Sequence, residues 1–187
     1  MEGDELVLGS NLRYRRHKNP DGTEGGWVGT QAHVSKNAFI GHDVWVDNDA
    51  QIKGRARILD TAHIYPHSVV EGDVVICDRT SVRQATVRGS AVISGDSDLN
   101  DWCIVEGYSY LKDMDVGSRL VISGGEWKGI NTPPFGGSRL YYEYDEAGNI
   151  THLSLWTGKD EPLENAEILL KHITPEKDPR AKGTREL

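Results

Sequence analysis

The sequence predicts an all-β chain, a short single-stranded parallel β-helix with strands covering its ends. Two observations carry this reading. Val28, Val34, Ile40, Val46, Ile52, Ile58, Ile64, Val70, Ile76 and Val82 stand six residues apart without interruption. Four residues after each comes Ala32, Ala38, Val44, Ala50, Ala56, Ala62, Ser68, Val74, Thr80 and Thr86, all small or β-branched. Val, Ile and Leu make up 41 of the 187 residues, so ten in register by chance has a probability on the order of one in a few million.

A period of six matches neither an α-helix, at about 3.6 residues per turn, nor a flat strand, whose faces alternate every two residues. It matches a coiled strand. Short strands joined by bends send one large and one small side chain inward, and each coil stacks on the next through main-chain hydrogen bonds at about 4.8 Å. The frame loses one residue at Val87 and resumes with Ile93, Leu99, Val105 and Leu111, with Ala91, Ser97, Cys103 and Ser109 as small partners. It loses another at Val116 before Ile122. Cys103 is therefore expected to be buried and Cys77 exposed.

An open β-helix exposes unpaired main-chain groups at both ends, which must be covered. Glu5 to Arg16 reads as a strand or strand pair, with Asn19-Pro20-Asp21-Gly22 as a turn. It is expected to cap the first coil. Beyond the repeat, Thr132-Pro133-Pro134 breaks the pattern, and Leu140 to Tyr144 and Ile150 to Trp156 flank a turn at Glu146-Ala147-Gly148-Asn149, which predicts a β-hairpin. Asp160 is expected to N-cap a short helix running through Pro162 to Ile173, with Leu163, Ala166, Leu170 and Ile173 on one side. The expected organisation is a cap over 1–27, the β-helix over 28–127, a hairpin and short helix over 128–173, and a disordered tail over 174–187.

Composition narrows the function classes. A net charge of -8 repels nucleic-acid phosphates and anionic membranes on average, so neither is an expected partner. The basic run from Arg13 to Lys18 reads as a charged strand edge. Two cysteines are too few for a disulfide framework and fit a reducing compartment. The start lacks the basic and apolar stretches of a secretory signal, and no apolar run approaches about 18 residues, so the expectation is a cytoplasmic protein.

The pattern of apolar, three variable, small and variable residues over 28 to about 126 resembles the hexapeptide-repeat proteins. That resemblance implies a left-handed β-helix with three hexads per triangular coil, hence about five coils. Gly25-Gly26-Trp27-Val28 at the entry and Gly124-Gly125-Glu126-Trp127 at the exit resemble an uncharacterised bacterial and phage branch of the family, some members of which are labelled acetyltransferases. The resemblance also implies a homotrimer, because the flat faces of such prisms commonly pack together.

With three hexads per coil, residues 18 apart lie over one another. One outward column runs His42, Asp60, Asp78; another Asp43, Thr61, Arg79; a third Asp49, His67, Ala85. A histidine above a carboxylate can be held in one tautomer and act as a general base. The competing reading is a surface ladder of complementary charges. Acyltransferases of the family are proposed to use a histidine to deprotonate an acceptor, with acyl-coenzyme A lying along the coils. Ile40-Gly41-His42-Asp43-Val44-Trp45-Val46 resembles a stretch common in them, which makes His42 the candidate base and Asp60 its partner. The family also contains zinc enzymes, but no column here holds two histidines, so no zinc site within one chain is expected; ligands pooled from two chains would draw first on His63 and His67, and the only cofactor expected is acyl-coenzyme A in the acyltransferase reading.

Phe39 and Trp45 occupy outward positions, as do Trp102, Tyr108 and Tyr110; with Asp49, His63 and His67 they form the candidate binding surface. Because the hexads from 28 to 82 run without an inserted loop, the leading expectation is a non-enzymatic, trimeric binding or structural protein, of phage or prophage origin. Acyl-coenzyme A dependent transfer is the enzyme alternative. In a third reading the outward carboxylates Asp47, Glu71, Asp73, Asp96, Asp98 and Asp101 imitate a nucleic-acid backbone and occupy a basic partner.

Overall fold

The computed structural model describes residues 5–9, 12–117, 119–129, 138–147, 149–156, 160–162 and 166–175. Its body is a parallel β-solenoid with three faces. Face A stacks the strands Glu24–Gly29, Trp45–Val46, His63–Ile64, Ser81–Val82, Asp98–Leu99 and Met114–Val116. Face B runs from His33–Val34 to Leu120–Ile122, and face C from Phe39–Ile40 to Glu126–Lys128. Among the described residues each face carries six rungs of the solenoid, and these make about six coils where the hexad count implies about five. The last coil closes on Trp127, fully buried opposite Leu111, in the place the aliphatic period would give to an eighteenth Val, Ile or Leu.

The inward residues follow the period closely. Ile40, Val46, Ile58, Ile64, Val70, Ile76, Val82, Val87, Ile93, Leu99, Val105, Leu111, Val116 and Ile122 have no exposed surface, and Cys103 is buried among them. Val28 and Val34 are half-buried because they belong to the first coil, at the end of the column. The first frame loss falls one residue earlier than the period suggests. Ala85, not Thr86, fills the narrow interior site, and Thr86 begins the strand Thr86–Gly89 with its side chain half-buried. Ala85 thus leaves the outward column assigned to it. Met114, a larger side chain than the period calls for, fills the narrow site before Val116.

The corners explain many of the polar residues. Asp49, His67, Gln84, Asp101, Trp102 and Arg119 take positive φ at the bend from face A to face B, and Asp60, Asp78 and Asp113 do so between faces C and A. Asp, Asn and His tolerate this left-handed conformation better than most side chains. At the remaining corner Gly54, Gly72, Gly89 and Gly107 take it, stacked so closely that a Cβ on Gly72 would meet the carbonyl oxygen of Gly89 at 2.5 Å.

At the N-terminal end, Glu5–Leu8 and Leu12–Lys18 continue face A as antiparallel strands beyond Glu24–Gly29. The first of the six rungs lies so close to the second that a Cβ on Gly26 would stand 2.3 Å from the Val44 carbonyl oxygen. At the other end, Ser138–Tyr144 and Ile150–Trp156 form the expected hairpin, its first strand parallel to Met114–Val116. Asp160–Pro162 is a third antiparallel strand, pairing with Ser154 to Trp156, so Asp160 does not cap a helix. Among the described residues the helix spans Ala166–Leu169, followed by a 3₁₀ turn at Leu170–His172, and it buries Leu169. Ile173–Pro175 then pairs antiparallel with Leu120–Ile122 and closes face B, so the first residues assigned to a disordered tail are strand. Thr132-Pro133-Pro134, Gly148, Leu163 and 176–187 lie outside the described residues. Among the described residues no helix is long and apolar enough to cross a membrane.

Candidate functional site

The outward side of face A brings together the groups with the clearest chemical potential. In a β-strand the residues on either side of an inward position both point outward, so Trp45 and Asp47 flank Val46 and His63 and Tyr65 flank Ile64. Val46 stacks on Ile64, which sets Trp45 over His63 and leaves Asp47 diagonal to His63. Nε2 of His63 lies 2.9 Å from Oδ2 of Asp47. The Tyr14 hydroxyl, from the capping strand Leu12–Lys18, donates to Oδ1 of the same carboxylate at 2.9 Å.

These groups are held firmly. Tyr14 is buried, its ring edge-on to Trp45 at 5.3 Å, and Trp45 in turn lies 6.2 Å from Trp27. His63 stacks on Tyr65 at 3.8 Å, and the Arg83 guanidinium covers Tyr65 at 4.7 Å. Burial alone would raise the Asp47 carboxyl, but the hydrogen bond and charge of His63 and the Tyr14 hydroxyl outweigh it and hold the carboxyl below its ordinary value. Burial, then the hydrogen bond to Asp47 and its charge, push the Tyr14 phenol up to about 12. An ionised carboxylate only accepts, which assigns the imidazole proton to Nε2. Nδ1 is then the basic nitrogen, and it has no hydrogen-bond partner among the described residues.

Farther along the same face lies a cavity of about 460 Å³, lined by Arg83, Asp98, Asn100, Asp115, Arg139 and Leu140 among others. Arg83 joins it to the histidine, since the same guanidinium covers Tyr65. Burial raises the Asp98 carboxyl, helped by the charges of Asp115 and Asp101 and opposed by Arg83.

Of the candidate catalytic and binding residues read from sequence, Trp45 and His63 fall here and the rest fall elsewhere; Asp47, Asp98 and Asp101, read only as carboxylates of a nucleic-acid mimic, lie in this site or its cavity. Nδ1 of His42 pairs with its neighbour Asp43 at 2.9 Å, and its partner is not Asp60. Both are open to solvent, with 61% and 72% of their side chains exposed, against 31% for His63 and 17% for Asp47. Asp60 instead accepts from the Asp78 backbone N–H at 3.0 Å, and Asp78 from that of Gly95 at 2.8 Å. These carboxylates cap the rung beyond them. Cys77, half-buried where exposure is expected, lies with Asp60 and Asp78. Burial first, then the charges of Asp78 and Asp60, push its thiol up to about 11, so it is a poor source of the thiolate a metal would need.

Asp49, His67 and Trp102 sit at corners, and Tyr108 projects from another loop with 86% of its surface exposed. Phe39 and Tyr110 belong to face C, where Arg57 covers Phe39. The aromatics therefore do not form one patch. Arg16, from the basic run, is used internally: it donates to the backbone carbonyls of His42 and Gly25 and covers the Trp27 ring. Of the carboxylates in the nucleic-acid-mimic reading, Asp47, Asp73, Asp96 and Asp98 face His63, Arg55, Arg79 and Arg83 respectively.

The Asp47–His63 pair was hidden from the sequence because columns of residues 18 apart compare like positions. Side chains also meet along diagonals, here sixteen residues apart.

The chain is similar to an acyl-[acyl-carrier-protein]–UDP-N-acetylglucosamine O-acyltransferase of Campylobacter concisus, with 23% identity over 163 residues. The match takes in 77% of this chain and 59% of that protein, so the chain spans little more than half the relative's length. No family model and no solved structure matches the chain.

Proposed function

We propose that the chain is a hexapeptide-repeat parallel β-helix protein that transfers an acyl group from a thioester donor to a hydroxyl or amine on the outward side of face A. The observation that carries this is the His63 imidazole fixed by Asp47, with its second nitrogen left without a partner among the described residues. The similarity to an O-acyltransferase supports the reaction class.

In this reading Asp47 and Tyr14 are positioning residues and His63 is the base. The acceptor O–H or N–H yields its proton to Nδ1 of His63 while its oxygen or nitrogen bonds to the thioester carbonyl carbon. The C–S bond breaks, and the departing sulfur takes up the proton from the imidazolium. The ionised Asp47 stabilises the imidazolium formed between the two proton transfers. The cavity beside Arg83 and Arg139 receives the polar remainder of the acceptor.

The test is incubation with acetyl-coenzyme A and a pool of amino sugars, nucleotide sugars and primary amines, with mass detection of an acceptor one acetyl group heavier. Product from the wild type, lost in His63→Ala with an unchanged circular dichroism spectrum, supports the proposal. Absence of product from both, with carrier-protein thioester as well as coenzyme A thioester, removes it.

One observation favours a second reading, a non-enzymatic binding scaffold. The pairings of His33 with Gln51 and of Val69 with Thr86 give coils of 18 and 17 residues, so these two coils carry no inserted loop to wall a pocket. The homotrimer belongs to both readings, and sedimentation equilibrium measures it.

A further inference from the structure

Among the described residues, the N-terminal end of the solenoid is closed on two faces and open on the third. In a parallel rung alternate residues direct both backbone groups to the same side. His33 and Ser35 donate to Ala50 and Ile52 in the next coil, so the N–H and C=O of Val34 point the other way, off the end. The equivalent groups on the other faces are covered. Val28 pairs with Arg15 of the capping strand. Ile40 is met by the Asn19 side chain, which accepts from its N–H at 2.8 Å and donates to its C=O at 3.1 Å. Val34 has no such partner among the described residues.

The opening is also a recess. A cavity of about 480 Å³ lies there, lined by Ala32, His33, Val34, Ser35, Ile52 and Lys53 among others. Val34 and Ala32, both inward positions packed against the core, are half-buried there. Lys53 lines it, and Lys36 follows its lining residue Ser35 in the chain, two cations on a chain whose net charge is -8. Lys36 and Lys53 are exposed, and neither is ion-paired among the described residues; Lys53 stands over Glu71 on the neighbouring rung without a salt bridge to it.

We infer that the free edge at Val34 is a docking site for an extended acidic peptide segment of a partner protein, which adds to face B as one further strand. Its backbone supplies to Val34 the donor and acceptor that Asn19 supplies to Ile40. Alternate small apolar side chains cover Ala32 and Val34, and acidic side chains between them reach Lys36 and Lys53. This inference is independent of the acyl-transfer reading, since the site lies on a different face.

The probe is a fluorescein-labelled peptide of alternating Glu and Val, compared with a Lys and Val peptide and with a Glu and Val peptide N-methylated at alternate residues. Fluorescence anisotropy is expected to show binding of the first alone, weakened at least tenfold in the exposed double variant Lys36→Glu, Lys53→Glu. Amide exchange at Val34 is expected to slow in the complex. Equal binding of the lysine peptide, undiminished binding of the N-methylated peptide, or unchanged exchange at Val34 would each overturn the inference. So would self-association of the protein without peptide that the same double variant abolishes, because the edge would then belong to a second copy.

Discussion

The side-chain amide of Asn19 pairs with the backbone of Ile40 in both directions, doing with one residue what a neighbouring strand does. Asn19 is buried, and a third bond from its amide to the Thr23 hydroxyl fixes its orientation. Asn19→Ala leaves a buried donor and acceptor unsatisfied and is expected to cost about 2 to 4 kcal/mol, read from urea unfolding. Asn19→Asp retains the acceptor but removes the donor and adds a charge, and is also expected to destabilise. Wild-type stability in both would show that the end of face C needs no such closure.

Tyr14 contributes stability with a defined pH dependence. Its phenol ionises at about 12 in the folded chain against an ordinary value of 10.0, so folding favours the protonated form. That stabilisation is complete below pH 10 and is lost as the pH rises from 10 towards 12. Tyr14→Phe keeps the ring against Trp45 but removes the bond to Asp47, and is expected to lower stability at pH 7 by about 1 to 3 kcal/mol. The urea midpoint of the wild type should fall across this alkaline window by more than that of the variant. Parallel profiles would contradict the account of Tyr14.

Asp98 acts in the opposite sense at neutral pH. Burial, with Asp115 nearby, raises its carboxyl above the ordinary value in spite of Arg83, so the folded state favours the protonated acid. The favourable contribution is present below the unfolded value near 3.8 and disappears as the pH rises through the higher folded value. Asp98→Asn is therefore expected to raise stability at pH 7 modestly, within about 1 kcal/mol, and to lose that advantage by pH 4. A neutral-pH destabilisation would mean that the ion pair with Arg83 outweighs the burial.

The body of the fold was legible because one physical requirement, filling a thin apolar column, repeats at a fixed interval. Ile64, Val70 and Ile76 are fully buried where the period places them. The period reads less well where a different side chain does the same work, as with Met114 and Trp127, and the coil count falls short for that reason. Asp49, Asp60 and His67 drew attention as chemical groups, yet their positive φ values show what the corner geometry asks of them. Asp160 carries the signature of a helix cap, but pairing with Trp156 overrides that local preference. The tertiary bonds of Tyr14 and Asn19 link residues 33 and 21 positions apart and leave no periodic trace.

The most direct measurement is the rate of acetyl transfer by His63→Ala and by His42→Ala, followed by mass spectrometry with acetyl-coenzyme A and whichever acceptor the wild type modifies. If Asp47 holds the working imidazole, the first variant loses activity by at least a hundredfold, in line with general-base catalysis, and the second retains it. Full activity in His63→Ala, with the loss transferred to His42→Ala, would contradict the account and move the chemistry to the corner between faces C and A.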